Sequence, residues 1–210
     1  AFQDRDLLKS LDLMDRAISL APDVGFYYTS RARMMDSFAA RDLLEEVDIS
    51  GRQHTLNMRA LRVNPLSHTA KLAAATLAFK LARMGQEDKG LEAVRLFKEL
   101  TLMLPGLEEM YNNLASAWLV LGRPQESVTA LDAYVEANGR HTGPAVEALY
   151  LRGLALLQLG KKEDSLTHLE QYLELSPQGR YAASAHQRLA EIYADLGRAA
   201  KRDEHAARYE

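Results

Sequence analysis

The sequence predicts an all-α fold, a right-handed α-solenoid of about five and a half stacked helix hairpins. Apolar residues recur at spacings of three and four along almost the whole chain, which is the period of a helix. Helical segments that end in Leu-Gly also return at near-constant intervals, 38 residues from Gly122 to Gly160 and 37 from Gly160 to Gly197. We find no stretch with the alternating pattern of a strand. Repeated helix pairs at such intervals indicate hairpins that stack on one another.

Prolines mark the boundaries of the predicted helices. Pro22, Pro65, Pro105, Pro144 and Pro177 each stand between one helical pattern and the next, where proline is tolerated. The predicted helices span residues 4–20, 24–39, 51–63, 66–84, 88–103, 108–121, 124–137, 144–159, 162–175, 179–196 and 199–208. The wider intervals between the earlier prolines place extra residues in two loops, 41–52 and 85–90.

We interpret residues 1–210 as a single domain with three zones. Residues 1–65 form irregular N-terminal units with a loop insertion, residues 66–177 the core repeats, and residues 178–210 a C-terminal capping unit. The first helix has only the second half of a repeat, so its apolar face lacks the partner that a stacked unit needs. The chain also starts at Ala1. We therefore expect an excised piece or a processed form of a longer protein.

Gly153 stands inside a predicted helix, where glycine costs about 1 kcal/mol relative to alanine. A small residue recurs at this position in four units, each time seven residues before a glycine that follows the helix. We predict that the small residue lets the two helices of a hairpin cross closely, and that the later glycine ends the first helix in a left-handed conformation. The small residues are Ala78, Ala115, Gly153 and Ala190, and the helix-ending glycines are Gly85, Gly122, Gly160 and Gly197.

This arrangement resembles the tetratricopeptide repeat family. Its pattern combines a large residue, a leucine followed by a small residue, a Leu-Gly pair, two further small positions, an aromatic residue and a final proline. The fifth unit carries the pattern through Leu149, Gly153, Leu156, Gly160, Ser165, Leu169, Tyr172 and Pro177. The resemblance implies a non-catalytic interaction scaffold, without a cofactor, whose first helices line a concave groove for a protein or peptide partner.

Helical phase predicts which side chains line that groove. They are Thr29, Arg33, Leu72, Ala75, Phe79, Glu109, Asn112, Ser116, Glu147, Tyr150, Leu154, Gln187 and Glu191. Packing against a neighbouring helix explains Phe79 and Tyr150 as well as partner binding does. Members of the family that grip a C-terminal carboxylate use two lysines, an arginine and two asparagines on these helices. Only Arg188 is in register here, so that ligand is not expected.

Composition excludes several kinds of chemistry. The chain has no cysteine, and its net charge of -3 gives no basic field for nucleic acid. Its six histidines are scattered without a metal-ligand pattern, and no nucleophile elbow or phosphate loop is present. We interpret Glu45, Glu46 and Asp48 as a solvated surface instead of a paired-carboxylate site. The sequence therefore predicts no enzyme activity, no metal and no cofactor.

A second resemblance leaves another function open. The stretch ALRVNPLSHTAKLAAATLAF, residues 60–79, is similar to the soluble tails of bacterial O-antigen ligase or polymerase-like membrane proteins. It implies an appendage to an upstream membrane domain involved in surface polysaccharide assembly. This chain itself has no apolar run near the roughly 18 residues of a membrane helix. We expect a soluble domain, either cytoplasmic or the water-exposed part of a bacterial membrane protein. The oligomeric state stays open.

Overall fold

The computed structural model describes residues 2–36, 46–138 and 145–209, and these residues contain helices but no strand. The prediction of an all-α fold is confirmed. The described residues form two compact units, Ala1–Met103 and Leu104–Glu210. The helices, numbered in chain order, are α1 (Phe2–Leu20), α2 (Gly25–Met34), α3 (Glu46–Val63), α4 (His68–Arg83), α5 (Glu87–Met103), α6 (Glu108–Val120), α7 (Pro124–Asn138), α8 (Val146–Gln158), α9 (Lys162–Leu175), α10 (Ala182–Asp195) and α11 (Ala199–Tyr209).

In the first unit, each helix packs on the next one along the chain, from α1 to α5. The hairpin of α4 and α5 has a fully buried core. Helix α4 contributes Ala74 and Ala78, and α5 contributes Phe97 and Leu100, all of them at most 1% exposed. Because alanine projects only one methyl group, α5 can bring its large side chains close to the backbone of α4.

The second unit consists of three hairpins, α6 with α7, α8 with α9 and α10 with α11. Successive hairpins pack through the second helix of one and the first helix of the next, and the first helices α6 and α8 also contact each other directly. The largest fully buried side chains are Met110, Leu169, Tyr172, Leu189 and Ile192. They come from three helices, one in each hairpin, so the hairpins share one core within this unit.

Gly153 has the close approach that the sequence predicts. A Cβ atom at this residue would lie 2.7 Å from Cγ and 2.8 Å from Cδ2 of Leu169, on the facing helix α9. The hydroxyl of Ser165 donates to the carbonyl oxygen of Gly153 at 2.8 Å, which ties the same two helices together. The corresponding Ala78, Ala115 and Ala190 are buried as well. The predicted role of the small residue at the helix crossing is confirmed.

The helix-ending glycines are also confirmed. Gly85, Gly122, Gly160 and Gly197 all have a positive φ, between 67° and 95°. At Gly160, the backbone N–H donates to Leu157 and the next N–H, of Lys161, donates to Leu156. These two bonds satisfy carbonyl groups that the end of α8 would leave without a partner. A residue with a Cβ atom is strained in this conformation, which explains the glycine.

The predicted loop at residues 85–90 is correct only at Gly85 and Gln86, because α5 begins at Glu87, one residue before the predicted helix start at residue 88. Gly90 is a buried residue inside this helix. It follows Gly85 by five residues, as buried Ser127 follows Gly122. Gly90 therefore occupies the small-residue position of a second helix, so it is a packing residue and not part of a loop.

The predicted loop at residues 41–52 is also wrong from Glu46 onward, where α3 begins. Ile49 and Ser50 are almost fully buried, and buried Gln53 continues the same helical face. Burial of apolar and small residues on this face offsets the cost of ordering the extra turn and a half before the predicted helix start at residue 51. In the acidic cluster, Asp48 is exposed and contacts Arg52 at 3.3 Å, as expected of a solvated surface. Glu45, and the predicted end of the second helix at residue 39, lie outside the described residues.

The Asn64-Pro65-Leu66 stretch forms the turn into α4. The side chain of Asn64 accepts a hydrogen bond from the Leu66 N–H at 3.2 Å. Ser67 caps the helix, since its hydroxyl oxygen accepts from the N–H of Ala70 at 3.3 Å. None of the described helices combines the length and the apolar character that crossing a bilayer requires.

Candidate partner-binding surface

In the second unit, the sequence predicts that α6 and α8 line the groove. Acidic side chains lie in the first turn of each of these two helices. Glu108 and Glu109 lie in the first turn of α6, and Glu147 lies in the first turn of α8. Acidic residues at this position stabilise a helix by opposing the positive end of its dipole. We call the cavity that they line the acidic pocket. It measures about 510 Å³ and is lined by Glu108, Glu109, Asn112, Val146, Glu147 and Arg180.

The last residue of α7, Asn138, contacts the turn that precedes α6, the helix that carries Glu108 and Glu109. The side-chain N–H₂ of Asn138 donates to the carbonyl oxygens of Pro105, at 2.8 Å, and Tyr134, at 3.0 Å. Asn138 therefore links the last turn of α7 to the segment just before α6. This link sets where α6 begins, and with it the position of Glu108 and Glu109.

Asn112 lies one turn further along α6 and is only 4% exposed. Its Nδ2 donates to the carboxylate of Glu108 at 3.1 Å. Its Oδ1 is buried and accepts no hydrogen bond from any described residue. Turning the amide over would place Oδ1 against the carboxylate, and two acceptors repel, so this orientation is the one that the chemistry favours. The acidic pocket thus contains a buried acceptor without a donor.

Arg180 supplies the positive charge of the acidic pocket. Its guanidinium contacts the carboxylate of Glu147 at 2.6 Å and lies over the ring of Tyr181, 4.6 Å from the centroid. The turn that carries Arg180 is held by Tyr172, whose hydroxyl accepts from the N–H of Tyr181 at 3.0 Å. A Cβ atom at Gly179 would lie 2.5 Å from that hydroxyl oxygen. The turn therefore needs a residue without a side chain next to Arg180.

Tyr150 packs in the interior, beneath this turn. It is 7% exposed, and its ring stacks on Tyr181 with centroids 4.4 Å apart and nearly parallel planes. Tyr172 completes the cluster at 5.6 Å. Burial raises the pKa of both Tyr150 and Tyr181 above the ordinary value, so both hydroxyls are neutral at physiological pH. Of the two readings of Tyr150 that the sequence left open, its burial favours packing.

The remaining predicted groove residues differ in exposure. Ser116 and Leu154 are half-buried, and Gln187 and Glu191 are exposed and bonded to each other at 3.1 Å. In the first unit, Leu72 and Phe79 are half-buried and Arg33 is exposed. The prediction that Ala75 lines the groove is wrong, because Ala75 is fully buried in α4 and its side chain cannot contact a partner.

The first unit has a cavity of about 310 Å³ beside Thr29 and Arg33. Helix α4 lines it through Thr69, Ala73, Thr76 and Leu77, not through Leu72, Ala75 and Phe79 as the helical phase predicts. Gln53 lies in its wall and donates to the carbonyl oxygen of Ala32 at 2.9 Å and to Asp36 at 2.6 Å. On α4, the residues that line this cavity therefore lie on a different face from the residues that helical phase predicts.

Helix α1 has the incompletely covered apolar face that the sequence predicts. Leu11 and Ile18 are partly exposed and line a cavity of about 500 Å³ together with Tyr28 and Leu56. Arg31, which also lines this cavity, forms a two-pronged ion pair with Asp15 of α1. This pair links α1 to α2, and the apolar residues Leu11 and Ile18 beside it remain partly exposed.

Histidines meet at one place that the sequence did not predict. His186 of α10 and His205 of α11 are buried, and their Nδ1 atoms lie 2.8 Å apart. Burial lowers the pKa of both rings below the ordinary value. Within residues 2–36, 46–138 and 145–209, no three histidine, aspartate or glutamate side chains are grouped so that they could hold a metal ion.

Sequence reasoning missed three residues of the acidic pocket, Glu108, Val146 and Arg180. Glu108 precedes Asn112 by four residues, and this helical spacing was a usable signal for their contact. Arg180 gave no comparable signal, because it lies in a turn and meets Glu147 only through the fold. The structure brings three predicted groove residues together in this pocket, Glu109, Asn112 and Glu147.

Residues 112–180 match the family described as Tetratricopeptide repeat. The resemblance to tetratricopeptide repeat proteins is confirmed. The matched stretch runs from Asn112 to Arg180, so it contains most of the acidic pocket and the complete hairpin with Gly153 at its crossing.

Three solved structures with the same fold are distant from this chain in sequence. PilW, described as a widely conserved type IV pilus biogenesis factor, is 14% identical over 98% of this chain and 86% of its own, with a TM-score of 0.66. A thermophilic tetratricopeptide repeat protein of Thermus thermophilus is 22% identical over 84% and 87%, with a TM-score of 0.59. YrrB, described as having an unusual peptide-binding site, is 19% identical over 93% and 90%, with a TM-score of 0.56.

These likenesses show the fold, which is that of a tetratricopeptide repeat solenoid. No curated protein matches the chain in sequence. The resemblance to O-antigen ligase tails is not shown by any of these comparisons and stays a prediction. The Asn-Pro-Leu residues on which that resemblance rests form the turn before α4. This gives them a structural role that does not involve a membrane.

Proposed function

We propose that the chain is a non-catalytic interaction module that binds a peptide or protein segment of a partner along the first helices of its hairpins. The supporting observation is that groove residues predicted from two different hairpins line one cavity, Glu109 and Asn112 from α6 and Glu147 from α8. A partner that contacts both hairpins at once gains specificity from their relative position, which a contact to one helix cannot supply.

The lining of the acidic pocket favours a segment of polypeptide over a small apolar ligand. Sites for small molecules are lined predominantly by apolar and aromatic side chains. Here Val146 is the one apolar side chain among six, and the others offer charges and hydrogen-bonding groups. A polypeptide, with its regular N–H and C=O groups and its varied side chains, matches that surface better.

The test is a selection of random displayed peptides on the immobilised chain, followed by affinity measurement for the enriched peptides. Two variants form a matched pair. Ser116, on the predicted groove face of α6, and Thr129, exposed on the second helix α7, both have hydroxyls bonded to the carbonyl oxygen four residues earlier, at 2.8 Å and 3.1 Å. Ser116→Arg should obstruct the groove, whereas Thr129→Arg adds the same side chain elsewhere in the same hairpin.

We expect the enriched peptides to bind the parent and the Thr129→Arg variant equally and to lose affinity for the Ser116→Arg variant. Circular dichroism and thermal unfolding should first show that both variants are folded. If no peptide is enriched, or if both variants bind as the parent does, the proposed groove is not the binding surface.

A further inference from the structure

Helix α11 is held in place by very few side chains. It packs on α10, and of its residues 199–208, whose side chains the structure describes, His205 alone is buried, at 6% exposed. The ion pairs that these residues form within the described part of the chain stay inside α11. Arg198, just before the helix, pairs with Glu163 of α9, but both side chains are exposed and such pairs contribute little. An isolated helix of 11 residues is marginally stable in water, so α11 depends on the contact that buries His205.

That contact is a bond between two histidine rings. Nδ1 of His205 lies 2.8 Å from Nδ1 of His186 on α10, and the ring of His205 stacks on Tyr193 of the same helix, with centroids 5.6 Å apart. At this distance one hydrogen fits between the nitrogens, so one ring donates and the other accepts. If both rings are protonated, the two N–H groups point at each other. The bond is then lost, and two positive charges are buried side by side.

The charged groups around the pair act in both directions. Both rings line a cavity of about 310 Å³, whose charged side chains besides the rings are Glu170 and Glu174 of α9 and Lys201, Glu204 and Arg208 of α11. Glu204 favours the charged form of both rings, and Glu170 favours that of His205. Arg208 and Lys201 oppose it. Burial is the largest effect and lowers the pKa of both rings, so docking of α11 is coupled to the neutral pair.

We propose that α11 is released by acid: it stays docked on α10 while the two histidines share one hydrogen, and it undocks when both are protonated, before the rest of the second unit unfolds. Undocking uncovers His186 and Tyr193 of α10. That face of the second unit therefore presents a different surface in acid than at neutral pH. The proposal goes beyond the proposed function and does not depend on the groove.

The test is amide hydrogen exchange, followed by NMR, at about pH 7.5 and about pH 5.5, on either side of the ordinary histidine pKa. A protection factor compares each amide with an unstructured peptide at the same pH, so the intrinsic effect of pH on exchange cancels. Since docking lowers the pKa of both rings, protons favour the released helix, by about tenfold per ring at one pH unit below the ordinary value. We expect the protection factors of residues 203–206 to fall by up to about a hundredfold between the two pH values. At the lower pH they should lie below those of α9.

A second measurement reports on the histidine pair itself. Hydrogen–nitrogen correlation spectra of the imidazole rings distinguish a hydrogen on Nδ1 from one on Nε2. At neutral pH, either His186 or His205 should carry its hydrogen on Nδ1, because the short contact needs one donor.

Two substitutions by asparagine give a matched comparison. His205→Asn removes one titrating ring of the pair and keeps a hydrogen-bonding side chain, so the fall in protection should shrink to about tenfold at most. His168→Asn removes a histidine of α9 whose Nδ1 bonds to the carbonyl oxygen of Asp164 in the same helix, at 2.8 Å. It should leave the fall as large as in the parent. The comparison of the parent at the two pH values decides the proposal even if His205→Asn loosens α11 at neutral pH.

The proposal is overturned if residues 203–206 have the same protection factors at both pH values, or if they are protected as strongly as α9 at the lower pH. It is also overturned if neither ring carries a hydrogen on Nδ1 at neutral pH, or if His168→Asn reduces the fall as much as His205→Asn does. None of these outcomes bears on the groove, which the display selection tests separately.

Discussion

Replacing Gly153 by alanine tests the packing account directly, because two opposing effects have known sizes. Alanine is favoured over glycine inside a helix by about 1 kcal/mol. At Gly153, however, the new Cβ would lie 2.7 Å from Cγ of Leu169, a side chain that is fully buried and cannot move aside into solvent. Overpacking of this kind costs about 1–3 kcal/mol. The variant should therefore be less stable than the parent by up to about 2 kcal/mol.

Gly51 is the matched control. It is also a helical glycine, in α3, but an added Cβ would meet no atom within 4 Å. Gly51→Ala should therefore stabilise the first unit by about 1 kcal/mol. Urea unfolding followed by helical circular dichroism reports on both units. The fluorescence of Trp118, the one tryptophan of the chain, reports on the second unit, which contains Gly153.

A double-mutant cycle assigns the effect to one contact. Leu169→Ala removes the two atoms that a Cβ at residue 153 would strike, and leaves the carbonyl oxygen of Ser165 at an ordinary 3.5 Å. In that background, Gly153→Ala should stabilise the protein by about 1 kcal/mol, so the two substitutions should be coupled by about 1–3 kcal/mol. The reasoning is refuted if Gly153→Ala stabilises the parent as much as Gly51→Ala does, or if the two substitutions are additive.

Three further results are expected in the second unit. Leu169→Ala alone should cost about 2–5 kcal/mol in urea unfolding because the side chain is fully buried; an unchanged midpoint would place it outside the core. Gly160→Ala should cost about 1–2 kcal/mol, and Gly160→Asn less, because φ is 75° and asparagine tolerates this region better than alanine; equal losses would contradict a backbone origin. Stability should fall as pH drops below about 6.5, because the unfolded chain takes up protons that buried His186 and His205, with lowered pKa values, resist. The tryptophan-monitored unfolding free energy at several pH values should show this fall, and His205→Asn should reduce it.

The acid sensitivity has a local cause in the arrangement of the two histidines. Their Nδ1 atoms are 2.8 Å apart, so one ring must donate while the other accepts through an unprotonated nitrogen. Glu204 favours the charged form of both rings, whereas Arg208 opposes it at His186 and Lys201 opposes it at His205. Burial is the largest effect on both pKa values and favours the neutral form of each ring in the folded state.

The sequence predicted the helices well because their signals are local. Apolar period, proline boundaries and the helix-ending glycines depend on residues within a few positions of one another. Gly153 was also predictable, since its repeat partners Ala78, Ala115 and Ala190 share its place in the period. The two errors at loops arose because the extra residues in the wider intervals between the earlier prolines were assigned to loops. The predicted loop 85–90 included Gly90, although its offset from Gly85 matches that of Ser127 from Gly122.

The candidate site was predictable only in part. Helical phase shows which residues share a face of one helix, and it selected Glu109, Asn112 and Glu147. It does not show how far a neighbouring hairpin covers that face. Ala75 was therefore placed in the groove although it is fully buried, and Tyr150 was left undecided although Tyr181 stacks on it.

By itself the sequence determined the all-α class, the repeat length, the small residues at the helix crossings and the glycines that end the first helices, because backbone conformation and close packing depend on local residue size. Only the tertiary structure decided which polar groups meet. Arg180 reaches Glu147 across 33 residues of chain, His186 meets His205, and Oδ1 of Asn112 is left without a donor. Contacts of this kind depend on how different helices and hairpins pack on one another, which no periodicity within one helix contains.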